Sequence, residues 1–373
     1  MNVAILLLIA ATSMRPGGDM RQTSMGVRAV SAASGTPAPT VTISAMPFTR
    51  TVTCTGSYTL TGTSTGATSV AWAASPSGES GACTGIDSWS CAVAVSPDAT
   101  GEGVETITVT ATGAGGTGDD AEDIGFYVNG AHSCWLSQSI DGDYNSTLVD
   151  ADPVATWENL GSSAFDVAQA VGTSQPTYLT SIVGGQPVVS FDGGDRLNDV
   201  LLSVGVPWSF MNNGTDYTIE SIFINLGTSY AISSTRTSNV DGFVLAGSSS
   251  TPRFEIDDGT LVVVGVASVS TMTSGLWHSQ VATLDDDGST GDDAFLYLDG
   301  ALHATGAATI AYPPVAGRRL GIGIGRLVGA AQVILTGQLF RILIYQSALT
   351  ATQRGINVAV DEWALGGTLP VTP

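Results

Sequence analysis

The chain has 373 residues, 43% of them apolar and only 12% charged, about half the ~25% charged share usual in soluble proteins, which argues against disorder driven by charge. Its 33 acids face 12 bases, all arginine, for a formal charge of −21, and a body this acidic repels phosphate backbones, which argues against a nucleic-acid partner. The polar share is instead Gly, Ser, Thr and Asn, with 46 glycines and 15 prolines, a mix suited to short strands and tight turns, so an all-β chain is expected.

The chain opens MNVAILLLIAATSM, with an apolar run from Val3 to Ala11. This run is far shorter than the ~20 residues of a bilayer span. Two readings stay open. One is a secretory segment, although no base precedes Arg15 where a signal carries positive charge. The other is a retained β-segment docking into a neighbouring chain, because Ile5 to Ile9 is costly to leave in water. The rest of residues 1–40 is rich in Gly, Ser and Pro without apolar periodicity and reads as an arm or linker.

From about residue 41 to 130 the sequence alternates. Ile107, Val109 and Ala111 fall on one face of a strand, and Thr106, Thr108 and Thr110 on the other. Ser69 to Ala73 and Cys91 to Val95 read as further strands, separated by turn clusters, which suits a sandwich of ~90 residues. The four cysteines, Cys54, Cys83, Cys91 and Cys134, include no C-x-x-C pair, and with only three histidines a zinc site is not expected. Cys83 and Cys91 flank a turn at residues 85–89, and their spacing fits either a disulfide closing a short loop in an oxidising compartment or two reduced buried thiols.

Residues 131–367 read as one larger sandwich, followed by a short tail at 368–373. The segment Leu339 to Tyr345 is apolar on both faces, with Phe340, Ile342 and Ile344 on one side and Leu339, Leu343 and Tyr345 on the other, as befits a strand covered on both sides. Asp299-Gly300 marks a hairpin turn. A closing helix is expected from Leu349 to about Leu365, with Thr350 as N-cap and Gly366-Gly367 as the stop.

Two resemblances follow from these residues. Gly81-Ala82-Cys83-Thr84-Gly85, Ser88-Trp89-Ser90, Gly103 and Thr106 to Thr112 resemble the bacterial Ig-like repeats of surface and phage proteins, which act mainly as spacers. In the larger unit, Trp135, Val154 to Gly161, Gln175-Pro176-Thr177 and Gly184 to Gly193 match, in order, the pattern of the concanavalin A-like, laminin-G-like jelly rolls. So do Gly275 to His278, Leu296 to Gly300, Leu320 to Gly323, Gly337 to Tyr345 and Ala348-Leu349-Thr350. The resemblance implies a jelly roll that binds carbohydrates or protein partners, and homo-oligomers.

Candidate sites are few. Related glucanases use an E-x-D-x-x-E strand, but here Glu255-Ile256-Asp257-Asp258-Gly259-Thr260 ends in Thr260, so a retaining acid pair is missing at that spacing. His278 reads as a strand histidine rather than a member of a catalytic triad. Calcium is the one cofactor considered. The run 285–293 carries five carboxylates, with Asp285, Asp287, Asp292 and Asp293 as its candidate ligands, and mutual repulsion of such charges would be relieved by a cation. Asp192, Asp195 and Asp241 are weaker candidates, and Asp119, Asp120, Glu122 and Asp123 read as a solvated acidic turn. Among aromatics that stack on sugars, Trp208, Tyr217, Tyr230 and Tyr312 fall in or near loops, where core packing is the competing reading.

The expected function is therefore a non-enzymatic structural protein of a virion surface, phage decoration or fibre-like, with a carbohydrate- or host-surface-binding jelly roll displayed outward. The N-terminal segment would join it to other virion or cell-surface proteins. A secreted bacterial adhesin or carbohydrate-binding protein is the alternative, and a glycan hydrolase the third. No membrane span and no nucleic-acid partner are expected.

Overall fold

A computed structural model describes residues 36–369 apart from 142–143, 145–146, 164, 200–207, 213–214, 236–241, 249–250, 258–261, 268–271, 286–293, 307–319, 326–332 and 368. The described chain is all-β, with one long closing helix.

Eight strands make the first sandwich: β1 Thr40–Ile43, β2 Thr51–Thr53, β3 Ser57–Thr65, β4 Ser69–Ser75, β5 Ser80–Ala82, β6 Ser88–Ala94, β7 Val104–Gly113 and β8 Gly116–Phe126. They form a three-stranded sheet in the order β1-β3-β6 and a five-stranded sheet in the order β2-β8-β7-β4-β5. All pairs are antiparallel except β2 with β8. Period-two alternation decides which side chains meet between the sheets. Ile107, Val109 and Ala111 are fully buried and pack with Val70 and Trp72 against Leu60, Trp89 and Val93. The alternate residues Thr106, Thr108 and Thr110 point outward, opposite Asp123, Ala121 and Asp119 on β8.

The second sandwich stacks two eight-stranded sheets. One runs, in spatial order, Thr156–Trp157, Val167–Ala168, Leu197–Asp199, Gly321–Ile322, Ser229–Ser234, Gly242–Ser248, Thr251–Asp257 and Val262–Ala267. The other runs Thr177–Val183, Gln186–Asp192, Thr336–Tyr345, Tyr217–Asn225, Trp277–Leu284, Ala294–Leu298 and Ala301–Gly306, with Ser133–Leu136 paired beside Thr336–Tyr345. The hairpin between Ala294–Leu298 and Ala301–Gly306 turns on Asp299 and Gly300, both at positive φ (50° and 80°), as a type I′ turn requires.

Thr336–Tyr345 is covered on both faces, but its residues sort differently from a regular strand. A register shift against Tyr217–Asn225 pairs Ile222 with Arg341 and Phe223 with Leu339. The extra residue, Phe340, rotates outward while Leu339 turns in. Leu339, Ile342 and Ile344 join the sandwich core, whereas Phe340, Leu343 and Tyr345 join the cluster on the other side. Sequence alternation, which placed Phe340 with Ile342, fails at this bulge.

That second cluster lies beneath the closing helix. Among the described residues, regular α-helix is confined to a four-residue helical turn, α1 Pro97–Thr100, and to α2 Ala351–Ala364. Thr350 caps α2, its hydroxyl accepting from the Gln353 N–H while the Gln353 side chain reaches back to the Thr350 N–H at 3.0 Å. Helix α2 packs on both sandwiches: Ile356 and Val360 share one apolar cluster with Val52, Tyr127 and Val128 of the first and with Val188, Phe340 and Leu343 of the second. Glycines permit the approach. A Cβ on Gly103 would overlap Val360 and Ile356, and one on Gly125 would lie 2.9 Å from Val360 Cγ1 and 3.2 Å from Trp363 Cζ3. A disulfide between Cys54 and Cys134, with Cα atoms 6.5 Å apart, fastens the same junction. Everything from Pro37 onward is one compact unit.

Candidate ligand-binding cleft

Helix α2 meets the outer face of the five-stranded sheet along a cleft of about 330 Å³, lined by Thr49, Arg50, Thr106, Ala121, Glu122, Asp123 and Trp363. Each wall has a local cause. Thr106, Ala121 and Asp123 are outward residues of β7 and β8, placed there because Ile107 on β7 and Ile124 on β8 turn into the core. Trp363 rises from the last turn of α2, where Gly125 leaves room for its ring. Arg50 is fixed through its backbone carbonyl, which accepts from the Gln138 and Gln186 side-chain amides at 2.7 and 3.1 Å. One Asp123 oxygen accepts from the Thr106 hydroxyl at 2.6 Å, leaving its second oxygen for another donor. The cleft thus offers an aromatic face, a guanidinium, the Asp123 carboxylate and two hydroxyls within one small volume, with Glu122, paired to the core residue Ile107, at its edge.

A second recess, about 310 Å³ and mostly apolar, lies where α2 crosses the opposite sheet, between Val281, Tyr297, Leu302, Arg354 and Val358. The Arg354 guanidinium covers Tyr297 at 4.0 Å from the ring centre and donates to the Leu349 carbonyl. With one face of Tyr297 occupied in this way, the recess offers less stacking surface than the cleft at Trp363.

The candidates raised by the sequence fall as follows. Asp285 is described and exposed, whereas Asp287, Asp292 and Asp293 lie outside the described residues, as do Asp241 and Tyr312. Asp192 and Asp195 do come together. The Asp192 N–H donates to Asp195 at 2.9 Å, and the Gly194 N–H to Asp192 at 2.7 Å. Burial, with the Asp192 carboxylate beside it, pushes Asp195 up to about 6. Among the described residues no three His, Cys, Asp or Glu side chains are grouped to hold a metal. The acidic segment expected as a solvated turn is instead part of strand β8, paired along β7, where Asp120 accepts from the Ile43 N–H at 2.8 Å and Asp123 from Thr106.

Trp208, Tyr217 and Tyr230 are fully buried in the core of the second sandwich. Glu255 pairs with Arg253 at 3.0 Å on the outer side of a strand whose Phe254 and Ile256 point inward. His278 sits between Asp299 Oδ2 (2.8 Å) and the Thr273 carbonyl (2.9 Å), and Asp299 also accepts from the Ser279 N–H, so this buried pair ties two strands together. Cys83 and Cys91 form a disulfide, with Cα atoms 4.3 Å apart. Sequence reasoning passed over Trp363, because a tryptophan near the end of an amphipathic helix reads as packing; only the fold reveals that it faces a polar sheet.

No protein-family model matches the chain, and no curated protein does. Solved structures align with parts of the chain at low identity. The CBM40 of a Ruminococcus gnavus IT-sialidase, bound to alpha2,3 sialyllactose, aligns at 12% identity and a TM-score of 0.37, over 46% of this chain and 95% of that one. The binding domain of botulinum neurotoxin serotype D aligns at 9% identity and 0.43, over 62% and 51%. A SAP-like pentraxin from Limulus polyphemus aligns at 19% identity and 0.33, over 46% and 80%.

Proposed function

We propose that this chain is a non-enzymatic, surface-displayed protein that binds a saccharide in the cleft at Trp363. The observation that carries the reading is the pairing of a half-buried indole with hydroxyls, a carboxylate and a guanidinium in one recess. Pyranose rings present an apolar face that stacks on aromatic rings, and a rim of hydroxyls that need both donors and acceptors. In this reading the larger sandwich is a concanavalin A-like jelly roll and the smaller one an Ig-like module, held together as a rigid platform for the cleft.

The setting is a virion surface or the outside of a cell, with residues 1–40 joining the protein to its assembly. Two disulfides weigh toward the secreted alternative, an adhesin or carbohydrate-binding protein, because such bonds persist in oxidising compartments. A glycan array probed with the oxidised full chain tests the binding, with Trp363→Ala as the comparison. Retention of a glycan class by the parent and its loss in the variant is the expected result; an array on which the parent binds nothing overturns the proposal. Sequencing the mature N-terminus separates the settings: an intact Met1 favours virion docking, and cleavage near Ser13 favours secretion.

A further inference from the structure

We propose, resting on the saccharide reading above, that the cleft takes a neutral, linear saccharide whose chain runs out of the cleft across the threonine face of β7 and β8. Charge argues for neutrality. Arg50 is the single cation among the residues that line the cleft, which also include Asp123, within a chain of net charge −21. An acidic sugar would bring its carboxylate beside that of Asp123, and like charges at close range repel even in water. Hydroxyl groups meet no such opposition. The free oxygen of Asp123 accepts from them, and the Arg50 guanidinium, which makes no hydrogen bond or ion pair with the described residues, donates to them.

The sheet argues for an extended ligand. Outward rows on β7 and β8 pair Thr106 with Asp123, Thr108 with Ala121 and Thr110 with Asp119. Successive rows lie about 7 Å apart, the advance of two residues along a strand. The face leading away from Trp363 therefore alternates hydroxyl–carboxylate rows with a hydroxyl–methyl row, and lacks a bulky side chain that would block a flat chain. A cleft of about 330 Å³ is at the small end for ligand sites and holds only part of an oligosaccharide, so later units would rest on these rows.

Calorimetric titration of the oxidised full chain distinguishes the outcomes, using linear neutral probes (cello- and laminari-oligosaccharides of one to six units) and acidic ones (oligogalacturonides and sialyllactose). The expected result is binding of a neutral series that tightens from one unit to about four, with acidic probes at least tenfold weaker. Asp123→Asn and Thr106→Val should each weaken the neutral ligand about tenfold without moving the thermal midpoint. Thr110→Arg should weaken the longer oligomers alone. Acidic probes binding as tightly as neutral ones overturn the neutral assignment while leaving the saccharide reading in place. Affinity independent of length overturns the track along β7 and β8. Failure of every probe, neutral and acidic, overturns both the inference and the saccharide reading beneath it.

Discussion

Arg341 has no exposed surface, yet it is surrounded by groups that only a charged side chain would draw together. Its guanidinium grips Asp361 through Nε at 2.6 Å and through Nη2, reaches Glu220 at 3.3 Å, and lies 4.7 Å above the Tyr127 ring. Asn357 donates to the same Glu220 oxygen at 2.8 Å and accepts the Val128 N–H at 2.9 Å, and Tyr345 donates to the Val128 carbonyl at 3.0 Å. One cation thus serves two carboxylates, and the bidentate partner, Asp361, takes its charge. Burial pushes Glu220 up to about 7 despite the nearby arginine, and its Oε1 has no hydrogen-bond partner among the described residues.

A consequence follows for stability. The folded protein holds the Glu220 proton to higher pH than the unfolded chain, whose value is near 4.5. The contribution is therefore full below about 4.5 and is lost as the pH rises through about 7, by an amount on the order of 3 kcal/mol at most. Glu220→Gln copies the protonated acid. Urea unfolding should find the variant equal to the parent at pH 4 and more stable at pH 8. Parallel curves across that range would show that Glu220 is charged in the fold and that the proton assignment is wrong.

At the scale of elements, helix α2 was legible in outline from its cap and stop residues: Thr350 and Gln353 form the capping box, and Gly366 and Gly367 end the helix at positive φ. Its destination was not legible. Nothing in the period of an amphipathic helix says that its apolar stripe will be shared between two sandwiches, and nothing in the sequence marks Gly103 and Gly125 as points of close approach. Their role appears only where Val360, Ile356 and Trp363 press on them. The strand Thr336–Tyr345 teaches the same lesson, since a one-residue bulge set by its neighbour exchanged the faces of Leu339 and Phe340.

Two glycine substitutions should therefore have opposite signs. Gly125→Val overpacks the junction, a class of change that costs about 1–3 kcal/mol, and should lower the thermal midpoint. Gly355, inside α2, meets nothing within 4 Å. Gly355→Ala should raise the midpoint, because alanine in a helix interior is favoured by up to ~1 kcal/mol. Differential scanning fluorimetry on both variants reads the two signs directly. A neutral Gly125→Val would mean that α2 does not bear on β8.

For the molecule as a whole, the alternation of Ile107, Val109 and Ala111 with threonines made the sheet architecture readable, because burial enforces a period that the sequence must carry. The junction carried no such period. Cys54 and Cys134 are 80 residues apart, and their pairing depends on where two sandwiches meet. Cys83 and Cys91 bracket a turn only 8 residues long, so that bond is a local matter. In the chain-entropy account, closing the longer loop restrains the unfolded state by about 2 kcal/mol more than closing the shorter one. The double variant Cys54→Ser/Cys134→Ser should thus lose more stability in denaturant unfolding than Cys83→Ser/Cys91→Ser. Equal losses would place the main effect in local strain instead.

The same junction sets how the protein unfolds. Independent modules on a linker melt separately, but here the first sandwich is tied to the second by more than the chain. Gln138 accepts from the Val52 N–H at 2.9 Å and donates to the Arg50 carbonyl, and the Tyr127 hydroxyl donates to Asp361 at 2.8 Å. The bonds to Val52 and from Tyr127 are buried, so opening the junction strands their polar groups away from partners, at roughly 1–3 kcal/mol for each. Opening also exposes the apolar cluster around Val52, Tyr127, Val360 and Leu343. Neither sandwich can then leave without unsettling the other. Calorimetry on the oxidised protein should show one transition for both sandwiches, with the van't Hoff enthalpy close to the measured one. Combining Cys54→Ser/Cys134→Ser with Gly125→Val should split it into two. Two resolved transitions in the parent protein would show that the junction couples the sandwiches too weakly to hold the walls of the cleft in register.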